Sequence, residues 1–285
     1  MKKLLLTLAL IPALHAADEK MFEYNRQLPL DRKETGMQER SGVKVYDFSF
    51  VNLHGGRTAA YLVPSIKGRR SAAVLFVHWY EPKSHDSNRT QYFEQAIELA
   101  KLGTTSLLIE TMWSDPLWFE KRHQTDDYYT SIGQVKELRR ALDVLLAEPG
   151  IDKNRVAYVG HDFGMMYGAV LAGVDDRPKV WALQAGTTSF SDWFLLGSKL
   201  QGDARTKFID LMAPLDPVKY IGSAAGPILM QFGKSDHFVP EPKAKEFFAA
   251  APEPKKILWY QAGHGLNEEA VRDRQAWLKQ QLKLK

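Results

Sequence analysis

The sequence predicts an α/β domain: a mostly parallel sheet with helices on both of its faces. Three observations carry that expectation. Continuous apolar runs, over residues 72–77 and 104–109, read as strands buried on both sides. Segments with apolar residues at helical spacing alternate with the strands, as parallel connections require. Asp162, Asp236 and His264 each stand just past a predicted strand, where ligands bind in such sheets.

Residues 18–41 are polar and mixed, and read as an arm lying across the domain. Residues 43–51 and 58–63 alternate in a strand-like way around the turn His54-Gly55-Gly56, so the sheet should open on a hairpin and be mixed. After the buried strand over 72–77, a helix places Phe93, Ala96, Ile97 and Ala100 on one face and stops before Gly103. The strand over 104–109 follows. Ile132, Val135, Leu138, Leu142 and Leu145 share the next helical face, which Pro149 and Gly150 end. A strand over 155–159 runs directly into Gly160, a helix of small residues covers 163–172, and a strand covers 180–183. Strands over 227–232 and 256–260 and a helix over 267–282 complete the chain. The result is one domain of about eight strands flanked by helices, with no large cap.

Composition narrows the function. A chain of 285 residues with 45% apolar content is long enough for one large domain with a sizeable core. The net charge is +4, and Lys2 and Lys3 supply half of that excess. No basic cluster with interleaved aromatics occurs, so no nucleic-acid partner is expected. Lys2-Lys3, the apolar run over 4–14 and Ala16-Ala17 form a secretory-signal pattern over residues 1–17, with Leu14 or His15 where a small residue is usual. The run is shorter than the ~20 apolar residues of a spanning helix. With no cysteine there is neither a disulfide nor a lipid-bearing N-terminal Cys. The expectation is a periplasmic or secreted protein without a membrane anchor after signal cleavage.

Gly160-His161-Asp162-Phe163-Gly164 is the most informative stretch. It has the spacing of the nucleophile elbow G-x-S-x-G, in which a sharp strand-to-helix turn lifts a serine above the sheet. Asp162 holds the serine position. A carboxylate there attacks a substrate carbon to give a covalent ester, or marks a frame that has lost its nucleophile. Asp236, after Gly233-Lys234-Ser235, and His264, within Gly263-His264-Gly265, complete the order nucleophile, acid, histidine.

With these residues, the strand order and the run Ile151-Asp152-Lys153-Asn154-Arg155-Val156-Ala157-Tyr158-Val159-Gly160-His161, the chain resembles the α/β hydrolases over residues 43–282. More narrowly it resembles the dienelactone hydrolase, acetyl xylan esterase and prolyl oligopeptidase-like branch. The resemblance implies a nucleophile at Asp162, an orienting acid at Asp236 and a general base at His264. It departs in having aspartate where that branch has serine or cysteine, which counts against ordinary esterase or peptidase chemistry. The elbow is also similar to that of epoxide hydrolases and haloalkane dehalogenases, where an aspartate opens an sp³ carbon and a histidine activates water on the resulting ester. Those families carry a His-Gly-x-Pro turn and a sizeable cap bearing tyrosines. This chain has His78-Trp79-Tyr80-Glu81-Pro82 and a modest insert over 187–225 containing only Tyr220, so Tyr80, Tyr128 or Tyr129 would have to serve as acid.

Anion-binding amides are expected from Phe163, at the start of the elbow helix, and from Trp79 or Tyr80, with Trp79 favoured. The same field is expected to lower the pKa of Asp162. His161 reads as a packing residue, His237 as a bystander beside Asp236, and Glu110 as a solvated or ion-paired carboxylate. Trp113, Trp118 and Phe119 read equally as pocket lining or core edge. His85, Asp86 and His123 lack metal-ligand spacing, so neither metal nor cofactor is expected. The expected function is hydrolysis of a small, fairly apolar substrate, either an ester or lactone, or an epoxide or C–halogen compound. The alternative is a catalytically silent binding or scaffold protein.

Overall fold

The computed structural model describes residues 19–68 and 70–285. The expected signal segment, residues 1–17, lies outside the described residues. Nine strands form one sheet: β1 (Lys33–Arg40), β2 (Val43–Val51), β3 (Arg57–Val63), β4 (Ser71–Val77), β5 (Thr104–Ile109), β6 (Ile151–His161), β7 (Val180–Gln184), β8 (Ile228–Gly233) and β9 (Lys255–Tyr260). Their spatial order is β1-β2-β3-β5-β4-β6-β7-β8-β9. The pairs from β1 to β3 and the β3–β5 pair are antiparallel, and every pair from β5 to β9 is parallel.

The helices are α1 (Phe93–Lys101), α2 (Trp118–Lys121), α3 (Asp127–Leu146), α4 (Phe163–Val174), α5 (Phe190–Phe194), α6 (Gly202–Met212), α7 (Glu241–Ala250) and α8 (Glu268–Gln281). Parallel strands need crossovers of this kind, whereas β1, β2 and β3 are joined by short turns. Successive residues of a strand point to opposite faces, and both faces are covered here. On one side Ala73, Leu75, Val77 and Tyr158 pack with α3 and α4 residues such as Leu138 and Tyr167. On the other, Ala72, Val74, Phe76 and Val159 pack with Ile97 of α1 and Leu278 of α8. That two-sided burial is why these strands read as unbroken apolar runs.

The segment expected to be an arm contributes β1, the ninth strand. Its sequence, KETGMQER, has no buried residue. It is held by main-chain pairing to β2, with an irregularity between Glu34 and Gly36. Such an edge strand leaves no apolar period to find.

Candidate active site

The loops that follow β4, β6, β8 and β9 all leave the same edge of the sheet, because these strands are mutually parallel. They bring together Tyr80, Asp162, Asp236 and His264. Asp162 lies between the last residue of β6 and the first of α4, with φ 60° and ψ −120°. That conformation is costly for a residue with a side chain. Ties on both sides hold it. The Asp162 N–H donates to Gln184 O of β7 at 2.9 Å, and its carbonyl accepts from Met166 N–H at 3.1 Å. Two glycines make the turn sterically possible. A Cβ at Gly160 would strike the backbone of Gly164, and one at Gly164 would strike the carbonyls of Val77 and His78.

Asp162 is 4% exposed. Its Oδ2 accepts the Tyr80 N–H at 2.8 Å, and the Phe163 N–H also acts on the carboxylate. His264 Nε2 stands 3.7 Å from the same oxygen, an ion-pair separation longer than a hydrogen bond. On its other side His264 Nδ1 bonds Asp236 Oδ2 at 2.8 Å. The Asp236 side chain is fully buried, and its Oδ1 accepts the N–H groups of Phe238 at 2.8 Å and Val239 at 3.2 Å. The acid is thereby fixed before it orients the histidine.

Burial raises the pKa of Asp162, against the opposing pull of His264 and the two amides. The lowered value expected from the helix N-terminus is therefore corrected: desolvation outweighs the amide field. Burial alone would lower the pKa of His264, but the flanking carboxylates Asp162 and Asp236 outweigh it and push the ring up to about 10. The two flanking carboxyl groups thus favour the protonated form of the His264 ring.

The expected donor Trp79 is engaged elsewhere. Its N–H donates to Gln91 Oε1 at 2.8 Å, and the amide facing Asp162 is that of Tyr80. Gln91 Nε2 in turn donates to His161 Nδ1 at 2.7 Å, which leaves His161 Nε2–H to donate to the His264 carbonyl at 2.9 Å. Burial holds the His161 pKa well below the ordinary value, so the ring is neutral, and it stacks on Trp79 with centroids 5.0 Å apart. His161 and Gln91 thus join the turn after β4, the elbow and the histidine loop. Gln91 stands in a polar stretch before α1, and no motif marks it.

The site opens on a cavity of about 450 Å³, lined largely by Phe119, Phe163, Trp193, Leu196 and Phe238, with Lys83 also on its wall. Of the three tyrosines expected as alternatives for the acid, Tyr128 and Tyr129 do not line this cavity, and the Tyr80 hydroxyl donates to Pro116 O at 2.8 Å. His237, His85 and His123 are exposed. Glu110 pairs with Arg89 at 3.2 Å and faces a different cavity. Trp113 belongs to the core, whereas Phe119 lines the cavity. Among the described residues no group of three or more His, Cys, Asp or Glu could hold a metal ion.

No family model matches the chain. It is 27% identical over 157 residues to the acylamino-acid-releasing enzyme of Mus musculus, a stretch that is 48% of this chain and 21% of that protein. Among solved structures it is similar to an acetyl xylan esterase from Paenibacillus sp. R4, with TM-score 0.73, 15% identity and 92% of each chain covered. It is likewise similar to acetyl xylan esterase 1 from Thermoanaerobacterium sp. JW/SL YS485, with TM-score 0.70, 13% identity and 92% and 91% covered. A cold-adapted esterase from an Arctic intertidal metagenomic library matches with TM-score 0.64 at 18% identity, over 88% of this chain and 99% of the other. In strand order, elbow and the placement of its three site loops, the chain has the α/β-hydrolase fold.

Proposed function

We propose that the chain is a hydrolase for small, largely apolar substrates carrying a displaceable group on an sp³ carbon, with Asp162 as nucleophile. The observation that carries this reading is the Tyr80 N–H on Asp162 Oδ2 at 2.8 Å. In a serine hydrolase such amides hold the oxyanion formed from the substrate carbonyl. Here the enzyme's own carboxylate takes them. An entering ester carbonyl finds its donors engaged, whereas an sp³ carbon needs none.

In this reaction a carboxylate oxygen of Asp162 forms a bond to the substrate carbon, and the bond from that carbon to its leaving group breaks, the electron pair departing with the group. Alkylation removes the negative charge beside His264. Its pKa falls from about 10 toward that of an ordinary imidazole, the ring sheds its proton to solvent, and it becomes a base. His264 then takes a proton from water as the water oxygen attacks the ester carbonyl carbon. The amides of Tyr80 and Phe163 hold the resulting oxyanion. Collapse breaks the bond between the carbonyl carbon and the alkyl oxygen, the alcohol leaves with the proton from His264, and Asp162 and His264 return to their ionised forms. Substrate and water give an alcohol, the anion and one proton. Lys83 on the cavity wall suits a departing anion such as halide, and Tyr80, the one tyrosine on that wall among the described residues, has its hydroxyl engaged by Pro116 O. The N-terminal pattern supports export to the periplasm or medium as part of this proposal.

The fold comparisons favour a second reading, since the similar structures include esterases. In it His264 activates water directly on an ester, and Asp162 stays unmodified. Single-turnover reaction in ¹⁸O-water separates the two, with 1-bromobutane and p-nitrophenyl acetate as substrates and mass spectrometry of the Asp162 peptide as readout. The first reading expects label in Asp162 after bromobutane turnover. Ester turnover without label, and no reaction of bromobutane, selects the second. A folded protein inert to both is a silent binding protein.

A further inference from the structure

The Tyr80 N–H that meets Asp162 shares one planar trans peptide group with the carbonyl of Trp79, so whatever holds that carbonyl also aims the N–H. Two side chains hold it. His78 Nδ1 lies 2.7 Å from Trp79 O, and Ser87 Oγ donates to the same oxygen at 3.3 Å. The Trp79 N–H, bonded to Gln91, belongs to the preceding peptide group. Gln91 therefore places Trp79, whereas His78 and Ser87 set the plane that carries the Tyr80 amide.

The partners of His78 fix where its proton sits. A carbonyl only accepts, so Nδ1 carries the proton and donates it to Trp79 O. The side chain is buried, which lowers its pKa to about 4, so the ring is neutral and Nε2 is an acceptor. The hydroxyls of Ser114 at 2.8 Å and Thr111 at 3.0 Å stand at that nitrogen. Ser114 Oγ already accepts the Thr111 N–H at 2.8 Å, which leaves its own proton for the ring. A chain of hydrogen bonds thus runs from the turn after β5 through His78 and across the Trp79–Tyr80 peptide to Asp162.

Each bond in such a chain polarises the next. A carbonyl that accepts a hydrogen bond draws electron density from its own peptide nitrogen, and the N–H becomes a stronger donor. We propose that His78 is a positioning residue, which orients and strengthens the Tyr80 amide toward the negative oxygen at Asp162. A histidine that only filled buried space would be replaceable by leucine, so the two roles part in experiment. The kinetic effect rests on the reading of Asp162 as nucleophile, whereas the bonding around the amide is measured without turnover.

Long-range ¹H–¹⁵N spectra of the ring nitrogens in the whole wild-type protein test the first link. Neutral His78 should be protonated at Nδ1, and a ring protonated at Nε2 overturns the proposal. Amide exchange tests the second link, with His78→Leu, which removes the donor, and His78→Asn, whose side-chain nitrogen takes the place of Nδ1. In His78→Leu the Tyr80 N–H should exchange about tenfold faster relative to the N–H of Leu75 in the β4 core, and His78→Asn should recover most of that loss. A general loss of stability would speed both amides alike, and that result in folded His78→Leu, or equal Tyr80 rates in the two variants, overturns the proposal. With 1-bromobutane, kcat should fall about tenfold in His78→Leu with little change in KM and recover in His78→Asn. An unchanged kcat in His78→Leu likewise overturns it. A wild type inert to 1-bromobutane counts instead against Asp162 as nucleophile, and the tautomer and exchange results then decide the role of His78.

Discussion

Replacing Asp162 by asparagine keeps the shape of the elbow side chain and removes its charge, which is what alkylation does in the proposed reaction. The Tyr80 N–H requires an acceptor, so the amide oxygen takes the place of Oδ2 and continues to face His264. His264 Nε2 stands 3.7 Å from that position. At such a separation and an effective dielectric of ~20, two unit charges interact by about 4 kcal/mol, or about 3 pKa units. Burial opposes the charge on His264, and Asp162 and Asp236 together hold its pKa up at about 10. Without the charge on Asp162, with the Asp236 bond still in place, the value should come to about 7. The sign for stability follows. In the wild type the raised pKa stabilises the fold fully below the unfolded value of 6.5, and that contribution is lost as pH rises through about 10. In Asp162→Asn the loss moves down to the neutral range. An NMR titration of the His264 ring from mildly acidic to strongly basic pH measures this directly, and thermal unfolding at the same pH values provides the parallel readout. A ring pKa that stays above about 9 in the folded variant would refute the reasoning, because Asp162 would then not be what holds the proton.

Two further changes probe the frame around the triad. Gln91→Leu removes the acceptor for the Trp79 N–H and the donor to His161 Nδ1, so the Tyr80 amide loses its support while the apolar cavity wall is untouched. It should lower kcat by about tenfold to a hundredfold with little change in KM, and equal kinetics in a folded variant would show that the bridge positions nothing. Gly164→Ala would drive a Cβ into the carbonyls of Val77 and His78 at the end of β4. Urea unfolding should show a loss of about 3 kcal/mol or more, and an unchanged midpoint would contradict the contact.

The parts of this molecule readable from its sequence are those fixed by local pattern. β4 and β5 are buried on both faces, so their composition alone marks them, and the loops that carry Asp162 and Asp236 follow β6 and β8, which end in such buried runs. β1 escaped that reading because pairing to β2 holds it and no apolar face does. α7 buries only Ala244 and Phe247, too few for a helical stripe. The choice of Tyr80 over Trp79 depends on where a turn points two neighbouring amides, and Gln91, 12 residues further on, decides it. The pKa of Asp162 depends on burial. The sequence displays the helix N-terminus but not the side chains that close over it.

The charge of the site bears on whether a silent binding protein could have this geometry. Among the described residues neither Asp162 nor Asp236 pairs with a lysine or arginine, and His264 is the shared partner of both. One histidine shared by two buried carboxyl groups leaves acids in excess of bases in a desolvated place, an arrangement that costs stability. The positive φ of Asp162 adds backbone strain at the same point. In the proposed reaction both acquire a role. The strained turn sets the carboxylate on the Tyr80 amide, beside the cavity that Asp162 lines. Forming the ester cancels the excess charge, which favours attack on a neutral substrate, and hydrolysis restores it once the product can leave. Under the proposed reaction a neutral side chain at position 162 would relieve the charge but end the chemistry, which accounts for an aspartate at so costly a position.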